Sequence, residues 1–181
     1  MHNCCAGLSF NRQKKQVNEF LIVNDSHHNI NSFWQDYLAS VPEKKHAGLR
    51  MPEAWGFGRG AEMEDELGGL VVSRIKQATA SLLWEYEAEG SELPKPGDLS
   101  IILDGKHEPL CLIETVEIQV KPFSQVDERF AYDEGEGDHS LKYWRDAHWR
   151  FFSITCQEIG REPSDEMPVV CERFKLVFPA I

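Results

Sequence analysis

Apolar and polar positions recur along the chain with two different periods. From Ser32, the residues Phe33, Trp34, Tyr37, Leu38 and Val41 repeat at the three- and four-residue spacing of a helix face, and Pro42 ends the run. A second helical pattern, Met63, Leu67, Leu70 and Val71, follows Gly56, Gly58 and Gly60. It carries Glu62, Glu64 and Asp65 in its first turn, where the helix dipole favours acidic groups. Strand-like runs then occupy residues 78–84, 99–103, 109–120 and 168–178. Pro94, Pro96, Gly97 and Asp98 break the first gap, and Asp104-Gly105 is a strong hairpin signal. Ser124 with Asp127 reads as a capping box opening a short helix through Phe130, and a last helix runs from near Asp138 or Ser140 to about Gln157. Two to three helices around four or more mostly antiparallel strands predict an α+β domain, and the short strands fit a small closed barrel.

Residues 1–32 show no sustained period. His27, His28, Asn29, Asn31 and Ser32 form a polar cluster typical of a loop, so residues 1–32 are expected to be a peripheral extension and 33–181 the folded domain. The His27-His28 pair lacks a third ligand at helical or strand spacing. Five cysteines, an odd number with no C-x-x-C, suggest neither a disulfide framework nor a zinc site; no metal and no cofactor are expected. The longest apolar runs fall far short of the ~20 residues of a membrane span. A reducing cytoplasm is therefore the expected location. The 181 residues carry a formal charge of −11. Such a chain repels a polyanion except at a local basic pocket, which disfavours duplex wrapping and leaves room for a nucleotide-sized ligand.

Three places could carry chemistry. The segment from Ser73 to Ser81 joins the second helix to the first strand. If Lys76 ends a helical turn there, its ammonium can approach the Thr79 hydroxyl three residues on, and a lysine can deprotonate a hydroxyl where the site lowers its pKa. In a regular strand the two would point to opposite faces and be a solvated charge and a β-former. The acidic run Asp133-Glu134-Gly135-Glu136-Gly137-Asp138 reads either as a solvated loop or as the holder of one proton-transferring carboxylate, Glu136. On the last helix, Leu141, Trp144, His148, Phe151, Phe152 and Thr155 share a face, with His148 in its middle as a core or functional histidine. Arg145 flanks that face and is a candidate phosphate contact. Glu114 falls on an apolar strand face, with Arg173 as a possible partner.

These residues also form longer motifs. Trp55-Gly56-Phe57-Gly58, K-Q-A-T-A-S-L-L-W-E-Y-E from Lys76 to Glu87, Gly97-Asp98-Leu99-Ser100, C-L-I-E-T from Cys111 to Thr115, E-G-E-G-D-H-S-L-K-Y-W from Glu134 to Trp144 and M-P-V-V-C-E-R-F from Met167 to Phe174 resemble a bacterial ASCH (activating signal cointegrator homology) domain of the longer type. The match spans about residues 33–178. The resemblance implies a PUA-like, mostly antiparallel small β-barrel with flanking helices, a fold linked to RNA. Some small ASCH proteins are amidohydrolases that remove the acetyl group of acetylcytidine, and at least one longer member is a metal-independent ribonuclease. The amidohydrolase pattern implies Lys76 as base, Thr79 as nucleophile and Glu136 as proton donor. The family turn usually reads Gly-x-Lys-Thr; here Arg74 replaces the glycine and Gln77 the threonine, which bears on substrate choice. Three functions follow as expectations: deacetylation of N(4)-acetylcytidine or a related nucleoside, RNA cleavage without a metal, and non-catalytic nucleotide binding. The expected partner is a nucleoside or single-stranded RNA, contacted by Arg74 and Arg145 and stacked on Trp55, Trp84 or Trp144.

Overall fold

The computed structural model describes residues 23–179 apart from 44, 45 and 47; residues 1–22 of the expected extension, with Cys4 and Cys5, lie outside them. The chain runs α1 (Val23–Ser40), β1 (Ala54–Trp55), α2 (Ala61–Val72), β2 (Ala78–Leu82), α3 (Leu83–Glu89), β3 (Leu99–Leu103), β4 (Pro109–Pro122), α4 (Glu128–Glu134), α5 (Leu141–Glu158) and β5 (Pro168–Phe178). A 3-10 turn at Phe123–Gln125 joins β4 to α4.

The strands form one sheet in the order β1-β3-β4-β5-β2. β1 runs parallel to β3, and the other neighbours are antiparallel. The fold is α+β as the periods predict, but the sheet is open, with β1 and β2 as its edges, where short strands had suggested a closed barrel. The two residues of β1 supply only one short ladder, to β3. β4 and β5 have 14 and 11 residues, close to the runs 109–120 and 168–178 expected from the pattern, and β4 bends through register shifts after Leu112 and after Thr115.

Alternation along β5 divides the core. Val169 and Cys171 pack with Ala78, Ala80 and Leu82 of β2 under α4 and α5, while Phe174 and Leu176 face Trp55, Phe57 and Val71 on the other side. A third cluster joins Ile30 and Trp34 of α1 to Ile101, Leu103 and Leu112. Burial of the two large hydrophobic clusters on either face of β5 makes it the spine of the molecule.

Several local expectations change. The polar cluster His27–Ser32 is helical, because its one apolar residue, Ile30, reaches the sheet while Asn29 Nδ2 donates to Glu108 Oε2 at 2.5 Å. The strand expected over 78–84 stops at Leu82, and the chain turns into α3, with Glu85 accepting from Leu82 N at 3.0 Å. Asp127, not Ser124, caps α4, accepting from Phe130 N at 2.9 Å. Glu114 pairs with Lys175, directly opposite it on β5, and not with Arg173, which alternation sends to Asp133 and Glu117. The Asp104-Gly105 hairpin and α5, capped by Ser140, form where the sequence places them.

Candidate functional site: a buried lysine held by two carboxylates

The turn after α2 sets up the site. Ser73 closes the helix, Arg74 takes φ 61°, and the N–H groups of Ile75 and Lys76 both donate to Leu70 O at 2.9 and 3.1 Å. Lys76 therefore lies in neither a helical turn nor a strand. Gln77 then locks the turn in place: its N–H donates to Asp133 O at 2.8 Å, and its carbonyl accepts from Phe174 N at 2.9 Å. Across from it, α4 ends at Glu134, and Gly135 (φ 69°) and Gly137 (φ 55°) reverse the chain. A Cβ on Gly135 would sit 2.7 Å from Ile75 O, so only glycine allows this approach.

The result is an ion triad. Lys76 Nζ donates to Glu134 Oε2 at 2.9 Å and to Glu136 Oε1 at 2.6 Å, and the Phe57 ring lies 5.3 Å away. The side chains of Lys76 and Glu134 are 1% exposed, whereas Glu136 is 19% exposed, so Glu136 is the member a ligand can reach. The second oxygen of Glu134 accepts from Trp144 Nε1 at 2.6 Å and lies 3.4 Å from His148 Nε2. His148 stacks on Trp144, and its Nδ1 donates to the Trp144 carbonyl at 3.0 Å. Burial works against the charge on Lys76, but the attraction of Glu134 and Glu136 outweighs it and holds the ammonium above its ordinary pKa. Burial also opposes ionisation of Glu136; Lys76 and then His148 overcome it and hold that carboxyl below its ordinary value. Beside Glu136 opens a cavity of about 80 Å³, bounded by Gly58, Met63, Ala147, His148 and Phe151. Arg59 straps its outer wall to α5, bonding Glu158 through both terminal nitrogens at 3.0 Å and Thr155 Oγ1 at 3.1 Å.

Of the residues singled out from sequence, Lys76 and Glu136 meet directly. Thr79 is buried on β2, opposite Glu172 of β5. Arg74 is exposed on the Lys76 turn. Trp55 is 3% exposed and packs edge-on against Phe57 in the core. Trp84 sits on α3 with the Arg161 guanidinium over its ring, and Arg145 donates to Ser124 O at 3.0 Å. Sequence reasoning passed over Glu134 and Glu172. The periods could have marked both, since Glu134 is the last residue of a helix that faces the core and Glu172 alternates with Val170 and Phe174. No group of three or more His, Cys, Asp or Glu among the described residues is arranged to hold a metal ion, and no helix among them is long and apolar enough to cross a membrane.

Fold and site together define an α+β protein built around a buried lysine with two carboxylate partners. The ASCH domain family matches residues 53–178, which hold the whole sheet and the Lys76 site, and the chain belongs to that family. A crystal structure of an ASCH domain from Lactobacillus crispatus JV V101 superimposes with a TM-score of 0.77 at 31% identity, covering 86% of this chain and 98% of that one. A crystal structure of a protein from Enterococcus faecalis V583 gives 0.75 at 38% identity, covering 83% of this chain and 89% of the other. No curated protein matches the chain.

Proposed function

We propose that this protein is a cytoplasmic hydrolase of RNA metabolism that deacetylates N(4)-acetylcytidine or a closely related modified nucleoside, with Lys76, Thr79 and Glu136 as its catalytic residues. The observation that carries the reading is the 2.6 Å hydrogen bond between Lys76 Nζ and Glu136 Oε1 at the edge of a cavity. At rest both groups are charged. Transfer of one proton along that bond yields a neutral amine and a neutral carboxylic acid, the base and the acid that amide hydrolysis needs, with no change in net charge. Lys76 then takes the Thr79 proton as Oγ bonds to the acetyl carbon. Glu136 gives its proton to the departing cytosine amine as the C–N bond breaks, and water cleaves the remaining threonyl ester.

Pockets for whole ligands run from about 300 Å³ upward. The cavity beside Glu136 is smaller, so entry of a nucleoside requires the wall formed by Gly58 and Met63 to move outward. Arg74, exposed beside the site, meets the sugar or a phosphate in this reading; Arg145 donates to Ser124 O, Trp55 packs on Phe57 and Trp84 lies under Arg161.

The test uses Thr79→Val, which removes the attacking oxygen and nearly preserves shape. Deacetylation of acetylcytidine is expected to fall by several orders of magnitude in a variant that still folds. Cleavage of a labelled RNA in chelator tests the alternative in which the Lys76–Glu136 pair activates a ribose hydroxyl. There the same variant loses only a hydrogen bond, about tenfold or less. Undiminished deacetylation by Thr79→Val excludes the threonyl ester.

A further inference from the structure

Glu172 is a carboxylate inside the sheet that the reaction above leaves unused. It lies in an unbroken antiparallel ladder between β2 and β5, in which Ala78 faces Arg173, Thr79 faces Glu172 and Ala80 faces Cys171. Residues directly opposite in such a ladder put their side chains on the same face, with Cβ atoms roughly 4.5–5.5 Å apart. Both Thr79 and Glu172 are buried, at 7% and 9% exposure. The neighbours of Glu172 on that face of β5 are Val170 and Phe174, both buried and apolar. The cations of β5 are on the other face: Arg173 bonds Asp133 and Glu117, and Lys175 bonds Glu114. A buried carboxylate needs hydrogen-bond donors. One is in place, since Thr115 Oγ1 donates to Glu172 Oε1 at 2.5 Å.

We propose that Glu172 is the positioning residue of Thr79: its carboxylate accepts the Thr79 hydroxyl, so that Thr115, Glu172 and Thr79 form a hydrogen-bonded row across β4, β5 and β2. The inference deepens the hydrolase reading and rests on it for its catalytic consequence. A threonine hydroxyl has more than one staggered χ1 position. Acceptance by Glu172 selects one of them and places Oγ before substrate arrives. Turning the O–H bond about Cβ–Oγ toward Lys76 then moves the hydrogen while the oxygen stays where Glu172 has set it. At rest two of the three ammonium donors of Lys76 go to Glu134 and Glu136.

The contact is tested without reference to catalysis by a thermal-stability cycle on Thr79→Val, Glu172→Met and the double variant. The double variant is expected to lose several degrees less than the sum of the single losses, because either change alone breaks the same bond. Additive losses overturn the proposal. If Glu172→Met does not fold, Glu172→Leu, which likewise removes both acceptor oxygens, takes its place in the cycle. In turnover of acetylcytidine, Glu172→Met is expected to lower kcat about 100-fold with KM nearly unchanged, the signature of a misplaced reacting atom. Glu172→Gln should recover to within about tenfold of the parent, since an amide oxygen still accepts from the hydroxyl. A folded Glu172→Met protein with the parent kcat overturns the positioning role. Absence of turnover by the parent protein defeats the hydrolase reading instead, and the stability cycle still decides the contact.

Discussion

Lys76 is the residue on which the interior depends most. Its four-carbon stem is buried and its head group has two acidic partners, so its removal leaves Glu134 and Glu136 facing one another without the ammonium between them. Breaking a buried pair from one side costs about 3–5 kcal/mol, more than removing both partners together. Lys76→Met is therefore expected to destabilise by roughly that amount in urea denaturation, and adding Glu134→Leu should restore part of the loss. A double variant less stable than Lys76→Met would contradict the ion triad. The buried thiols of Cys111 and Cys171 are of the opposite kind: burial pushes each up to about 12, which keeps them out of the thiolate form and makes them packing residues.

At the scale of elements, the site exists because the end of α4 and the turn after α2 touch. Gly135 and Gly160 share φ 69°, yet a Cβ on Gly135 meets Ile75 O and one on Gly160 meets nothing within 4 Å. Gly160→Ala is expected to cost only the left-handed penalty, about 1 kcal/mol, and Gly135→Ala at least about 1 kcal/mol more, with a shift in the amide signals of Ile75 and Lys76. Equal losses would show that the close approach carries no weight. This contact also explains what could be read from the chain beforehand. The amphipathic faces of α2 and α5 and the Asp104-Gly105 turn are local signals and were legible. Lys76 and Glu136 were legible as a pair through the family motifs, but their meeting depends on a backbone contact between segments 58 and 60 residues apart. α3 was not legible, because Leu83 and Trp84 continue the apolar run of β2 and nothing in the period marks the turn. The polar start of α1 was hidden in the same way, since Ile30 is the single apolar residue among residues 27–32.

For the molecule as a whole, the pH dependence of stability has a specific source away from the triad. Burial, opposed by the hydrogen bond from Leu82 N and reinforced by Glu89, pushes Glu85 up to about 7. A carboxyl raised in the folded state binds its proton more tightly there than in the unfolded chain. Its contribution is full below its ordinary value near 4.5 and is lost as pH rises through about 7. The protein is expected to lose at most about 3 kcal/mol by this route between pH 5 and 8, and Glu85→Gln should flatten that part of a melting-temperature profile. An unchanged slope would assign it elsewhere. The sheet order has another outcome, which concerns time. β5 is the last of the five strands to be synthesised, yet it lies inside the sheet between β4 and β2. Until it leaves the ribosome, the strands on both sides of it have open edges, Lys76 has its turn but not the Phe174 N–H that locks Gln77, and neither large core cluster can close. Long-range pairing of this kind is slow to form. The nascent chain therefore stays incomplete, and open to chaperones and proteases, until its final strand has been translated.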